Sequence, residues 1–287
     1  MENQRRRFKD LCKLLLLMII VSNWTTLSGA NPPEEFFKGL DLMDKNNDEA
    51  KKNFQIAAVK DTLYHGTFHF LGVIYIDENK FDSAVSNFKK SIFLNKANAN
   101  HTREIAICRL IDVYLYQHDF DNSFSTAFDA FLQYPDSKTI KNRLVDVCEW
   151  SFYVKHNGLS ASYMSKDLID EYTVRSISEE YLIIRRKMVN GNQIYVESQA
   201  VTNKKKVYYD ILTCIQNDSE KKIIVKFKLD WDFNNEPVGR HANTSNVYSN
   251  TNNPIYERIG ALLVSDSKID LKSEIERLYK ERRLTGI

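Results

Sequence analysis

Proline and glycine are scarce in this chain, five and nine residues among 287. So few breakers exclude collagen-like and linker-rich architectures, and they leave room for long elements joined by short turns. Charge of one sign is missing as well. The formal +2 includes a basic start, because residues 1–30 carry five Lys/Arg and two acids, leaving 35 basic against 36 acidic residues beyond them. A chain so close to neutrality has no net field to steer it onto nucleic acid, and no nucleic-acid partner is expected. Cysteine is sparse too. Cys12 falls in the first thirty residues, and Cys108, Cys148 and Cys214 show no CxxC spacing. An odd set of three allows at most one pair, so these residues read as small buried apolar groups rather than as a disulfide framework or metal ligands.

Long hydrophobic runs are also lacking. The run Leu14–Val21 is eight residues, far short of the roughly 20 that a membrane span needs. Its surroundings fit a secretory leader: Arg5-Arg6-Arg7 ahead of it, and Ser28-Gly29-Ala30 before Asn31-Pro32-Pro33. Small residues at 28 and 30 suit signal peptidase, and the prolines discourage a continuing helix. The expectation is a cleaved leader at 1–30 and an exported mature chain, periplasmic or secreted, with no stable transmembrane segment. No cysteine stands at the cleavage point to take a lipid.

What is present, from about 31 to 158, is helical periodicity that repeats. Phe68, Leu71, Gly72 and Tyr75 share one face of a first helix, and Ala84, Phe88 and Ser91 share one face of a second. A small residue at 72 opposite Ala84 allows close approach, while the aromatics fill the space between neighbouring units. Ala50, Phe54 and Ala57 give the same second-helix pattern, with the same internal spacing, in the unit before. Ile107, Leu110, Ile111 and Tyr114, then Phe120, Ser123, Ala127, Ala130 and Pro135, repeat the unit downstream. Ser123 lies farther beyond Ala84 than Ala84 lies beyond Ala50, and the excess locates a five-residue insertion near Ala97–His101. Ile140, Leu144, Val147 and Cys148, with Trp150 and Phe152, read as a capping helix.

On these residues the segment resembles the tetratricopeptide repeat family. The resemblance covers a little under half of the chain, with a degenerate opening helix and Ile111 in place of the small residue in the third unit. It implies stacked helical hairpins whose first helices line a concave groove that receives a peptide or partner protein. The groove residues so implied are His69, Val73, Ile76, Ile105, Cys108, Asp112 and Leu115. They are more apolar than basic, which favours an apolar segment over an acidic terminus, whether from a partner or from the chain's own later domain.

After Gly158 the period changes to two. Tyr181–Val189 and Gln193–Val201 flank Asn190-Gly191, a hairpin signal, and Val207–Ile215 and Lys222–Leu229 alternate similarly. In the last of these, Ile223, Val225, Phe227 and Leu229 form one face. The expectation is an antiparallel meander of at least four strands. A polar segment, Asp232–Asn253, and helices over 255–264 and 270–283 follow it. The whole reads as α+β: leader 1–30, helical hairpin array 31–158, and an α+β domain 159–287.

No catalytic constellation, metal site or cofactor is expected. His65 and His69 stand four apart on one helix but lack a third ligand and any HExxH pattern. Asp232, Arg240, His241 and Glu257 lie in or beside the polar segment and would serve a hydrolase only if folding gathered them. Lys204-Lys205-Lys206 and Lys221-Lys222 suit solvated sheet ends. Sequons at Asn100, Asn217 and Asn243 become acceptors only on a eukaryotic secretory route. The function expected is therefore an exported binding or scaffold protein. The alternatives are a hydrolase-like enzyme whose repeats recruit substrate and a structural component of a cell-envelope complex.

Overall fold

The computed structural model describes residues 32–43, 45–98, 101–189, 192–204, 206–216, 219–230, 244–250, 252–266 and 268–280. The leader and the asparagines of the three sequons lie outside these residues, as do Lys205, Asn190-Gly191 and the stretch 231–243 with Asp232, Arg240 and His241. Contacts divide the chain into two compact units, one up to Val113 and one from Tyr114. The architecture is α+β. A succession of helices leads into a mixed sheet and C-terminal helices, and the change of period at 158 falls inside the second unit.

The first unit holds α1 (Glu34–Leu42), α2 (Asn47–Lys60), α3 (His65–Asp77) and α4 (Phe81–Leu94), and it ends within α5 (Thr102–Tyr116). Two helical hairpins are built on one device. A Cβ placed on Gly39 of α1 would meet the Phe54 ring at 2.7 Å, and one on Gly72 of α3 would meet the Phe88 ring at 2.8 Å. Each glycine is the socket into which the aromatic of the following helix drops. Phe54, Phe88, Ala50, Ala84 and Ala57 are fully buried. Around the first socket Phe36, Tyr64, Leu71 and Ile74 complete a core, with Phe54 stacked on Phe70 at 5.5 Å. Gly39 gives the opening hairpin the same socket that Gly72 gives the second, a correspondence the aliphatic pattern hides.

Local chemistry sets the ends. Asn46 caps α2 by accepting from the Glu49 N–H at 3.2 Å. Asn79 after α3 adopts the left-handed region (φ 56°), as does His118 after α5 (φ 60°), at the matching place of the next repeat. In both turns the next residue's N–H reaches back to a tyrosine carbonyl, Lys80 to Tyr75 and Asp119 to Tyr114. Asn98, beside the expected insertion, caps the start of α5. Asn98 Oδ1 accepts from the N–H groups of Arg103 and Glu104 at 3.1 and 3.3 Å, while its Nδ2 donates to Glu104 Oε1 at 2.8 Å.

The second unit contains α6 (Phe120–Gln133), α7 (Lys138–His156), a 3-10 turn (Ala161–Met164), β1 (Tyr172–Val174), α8 (Ile177–Ile184), β2 (Met188–Val189), β3 (Asn192–Lys204), β4 (Val207–Gln216), β5 (Ser219–Leu229), α9 (Thr244–Ser249), α10 (Ile255–Ser265) and α11 (Leu271–Lys280). The sheet order is β1-β5-β4-β3-β2. β3, β4 and β5 form the expected antiparallel meander, with Val225, Phe227 and Leu229 buried. Two expectations fail. The stretch from Tyr181 is helix through Ile184 rather than strand. Ser176 accepts from the Glu179 N–H at 3.3 Å and starts a helix, so only Met188–Val189 pairs with β3. The sheet is also mixed, because β1 runs parallel to β5 with Tyr172 opposite Phe227. Nor is the polar segment wholly irregular, since its last part forms α9.

The capping helix α7 packs against α6 and α10. At the α10 crossing, a Cβ on Gly260 would lie 2.1 Å from the Cys148 carbonyl oxygen and 2.7 Å from Phe152 Cβ. Cys108, Cys148 and Cys214 are buried, in keeping with their reading as small apolar groups. Overpacking costs about 1–3 kcal/mol where a side chain can yield and more where backbone must move. Gly72→Ala, which meets the edge of a ring, is therefore expected to lose stability within that range. Gly260→Ala, which meets a carbonyl in a helix, is expected to lose more. Urea unfolding of the two variants checks the order, and a smaller loss at Gly260 would show that α10 is not tightly seated on α7.

Candidate functional site

The seven groove residues occupy different environments. Ile105 is the one with substantial exposure, at 45%, while His69 and Val73 are half-buried. Ile76, Cys108 and Asp112 are buried, and Leu115, in the second unit, is fully so. His69 lies among rings, 5.3 Å from Phe70 and 5.6 Å from Phe88. Burial drives its imidazole down to about 3, with the positive charge of Arg109 and the neighbouring His65 adding to the effect. His65 is similarly held down to about 4 by burial. Both are neutral packing residues. Among the described residues, no group of three or more His, Cys, Asp or Glu side chains converges as a metal site.

Exposed apolar surface in the helical array lies instead on second helices. Val59 on α2 is 81% exposed and Phe93 on α4 is 69% exposed. They share one register of the repeat, each two residues beyond the last buried position of its helix, Ala57 and Ser91. The same register in the second unit holds Leu132 of α6, two beyond Ala130 and 61% exposed. Ile56 and Leu63, at 48% and 71%, add to the apolar surface of the first unit. Isolated exposed apolar residues are ordinary. One register position exposed in three successive second helices of the repeat is not scatter. The repeat offset that relates them is legible in the sequence, but a search for buried faces passes over an exposed register.

The second unit concentrates buried charge. Glu179 of α8 accepts from the Arg175 N–H at 2.7 Å and from Asn157 Nδ2, and Arg175 in turn donates to the Asn157 carbonyl at 2.7 Å. Together with Tyr163, Thr173 and Asp230 these line an open cavity of about 130 Å³, too small for more than a few heavy atoms. The side chain of Glu180, next on the helix, is fully buried and held up to about 9 by burial, the adjoining Asp210 and Glu179. Arg186 and Lys187 grip the 3-10 turn. Arg186 Nε donates to the Met164 carbonyl at 3.3 Å, and Lys187 Nζ donates to the carbonyls of Tyr163 and Ser165 at 2.9 and 2.6 Å. Burial brings the Lys187 ammonium down to about 7, with Arg186 adding to the effect and Asp167 opposing it. Glu257, a member of the hydrolase alternative, is buried on α10 and engaged by His156 Nε2 at 2.7 Å. That contact ties α10 to α7.

No family model matches the chain, and no curated protein matches it. The hairpin repeat is therefore characterised by its own geometry.

Lys187 gives a pH dependence whose sign follows from its depressed pKa. Between about 7 in the folded chain and about 10.4 unfolded, the unfolded state holds a proton that the folded state lacks. Rising pH over that window therefore stabilises the fold through this residue. Lys187→Met is expected to remove this contribution, so that wild type gains on the variant by up to about 1.4 kcal/mol per pH unit. Urea midpoints of both proteins from pH 7 to 10 measure the difference, and parallel profiles would show that Lys187 stays charged.

Proposed function

We propose that the protein is an exported, non-catalytic binding or scaffold protein whose helical hairpins hold a partner protein or peptide. The basic, apolar and small-residue succession of its first thirty residues supports export. The observation that carries the binding reading is the register-matched exposure of Val59 and Phe93, with Leu132 at the same position of the next repeat. Apolar side chains held at one exposed register of a repeating unit contribute nothing to a folded core. They carry the cost of exposed apolar surface that partner contact removes. This shifts the proposed contact from the first helices to the second, leaving Ile105 as the exposed member of the original set.

The test is crosslinked capture from the secretory or envelope fraction of the source cells, using the mature chain. Three baits are compared: wild type, Val59→Ser/Phe93→Ser and Ile105→Ser. Surface substitutions of this kind change folding stability by no more than about 0.5 kcal/mol each, so all three should melt alike. The double variant is expected to lose its partner about tenfold or more, since truncating a central apolar anchor costs about 2 kcal/mol. Loss with Ile105→Ser alone would return the contact to the first helices. Equal recovery by all three baits would remove the array from the reading.

A further inference from the structure

The sheet of the second unit ends in an edge that its own strands leave open. β4 lines one side of β3 from Ile194 to Lys204, with a shift of register at Glu197. On the other side β2 pairs only with Asn192 and Gln193, and the last contact is the Ile194 N–H with the Lys187 carbonyl at 3.4 Å. Among the described residues, no strand pairs with that side from Tyr195 to Lys204. The bulge at Glu197 leaves Ser198–Lys204 as the regular part of this edge, and every residue in it is exposed. Open edges are ordinarily guarded by charge, proline or a covering element. The β5 edge follows that rule. β1 covers it from Phe227 to Leu229, and Lys222 and Lys226 precede that stretch, paired with Glu197 and Glu171. The β3 edge does not. Ser198–Asn203 contains neither charge nor proline, and Val201 in its middle is 60% exposed.

We propose that this edge pairs antiparallel with the same edge of a second copy of the chain, joining two sheets across a two-fold axis at Val201. Residues that face each other in an antiparallel pair have their side chains on the same face of the sheet. A two-fold axis perpendicular to the sheet therefore sets one residue against its own copy. Centring the axis on Val201 covers the exposed apolar side chain with itself, as a cross-strand β-branched pair. Ala200 then faces Thr202 of the second copy, and Lys204 faces Ser198, one residue from Glu197. The basic end of each edge meets the acidic end of the other. A parallel pairing in the same register would instead set Lys204 against Lys204, so charge complementarity selects the antiparallel one. β2 flanks the far end of β3 and lies clear of the pairing. A single strand pair is a small interface, below the roughly 1,200 Å² of stable complexes, and the dimer it makes is weak. This surface is distinct from the exposed register of the second helices, and the proposal does not rest on the binding reading.

Sedimentation velocity of the mature full-length chain measures the association, over about 1 to 500 µM, the range of weak complexes. A concentration-dependent equilibrium between monomer and dimer is expected. Val201→Lys puts two like charges across the axis and is expected to weaken the dimer at least about tenfold. An exposed position of this kind changes folding stability by no more than about 0.5 kcal/mol, so the variant should melt as wild type does. Val201→Cys is expected to give a disulfide-linked dimer when diamide is added as oxidant. Ile224→Cys, equally exposed on β5 at 61%, is expected to stay monomeric under the same treatment. A monomer at every concentration would overturn the proposal and leave the edge to a strand of another protein. A dimer that survives Val201→Lys unchanged, or that is lost instead in Val59→Ser/Phe93→Ser, would overturn it as well.

Discussion

Everything in the helical array depends on how closely two helices of a hairpin can approach. Gly39 and Gly72 leave the volume of a side chain empty, and Phe54 and Phe88 fill it from the following helix. The ring then lies flush with its own helix's buried face, between two alanines in the first hairpin and between Ala84 and Ser91 in the second. Because the socket recurs, the two hairpins of the first unit expose the same register, Val59 in one and Phe93 in the other. In the third repeat the residue types at these positions are exchanged: Ile111 stands where the glycine would be and Ala127 where the ring would be, both fully buried.

The second unit uses a different constraint, the satisfaction of charge away from water. Its 3-10 turn exposes carbonyls that no regular element would pair. Arg186 and Lys187, placed just after α8, reach back to Met164, Tyr163 and Ser165 and satisfy them. Lys187 also lies 5.1 Å from the Tyr172 ring centroid, and that ring stacks on Phe227 at 5.2 Å. The cation that holds the turn thus also covers the parallel β1–β5 pair. Glu179 works in the same way at the other end of α8, joining the helix start to the end of α7 through Asn157. α8 is thereby anchored at both ends by buried polar contacts, and its last three residues, Leu182, Ile183 and Ile184, are buried in the core.

Much of this is legible in the sequence, and the reasons for the rest are specific. The meander is readable because burial alternates from Asp210 to Cys214 in β4 and from Val225 to Leu229 in β5, enough for a period of two to show. α8 is not. Leu182-Ile183-Ile184 is a β-branched-rich apolar run beside an Asn-Gly signal, and a buried helix of eight residues offers too few turns to show a 3.6 period. The cap at Ser176 with Glu179 three residues on is the available signal, and it outweighs β-propensity. β1 escapes because three residues carry no periodicity at all. The groove set shows mixed burial. Spacing identifies which side chains share a face but not whether that face is open, and Ile76, Cys108 and Asp112 are enclosed. The Glu180–Asp210 pair cannot be found in the sequence, since it joins residues thirty apart across an element whose composition reads as strand.

The exposed apolar register differs from the buried faces of the repeat in what packing accounts for. A repeat preserves what its fold needs at equivalent positions, and Gly39 with Gly72, or Ala50 with Ala84, are accounted for by packing alone. Val59, Phe93 and Leu132 are not, because replacing any of them with a polar residue would leave every socket intact. Phe93 is contacted from within the chain by Lys96, at 5.5 Å from its ring, and still stands 69% exposed. A large side chain kept in water at each turn of a repeat raises the risk of aggregation while adding nothing to the core. On the proposed reading, contact with a partner removes that cost.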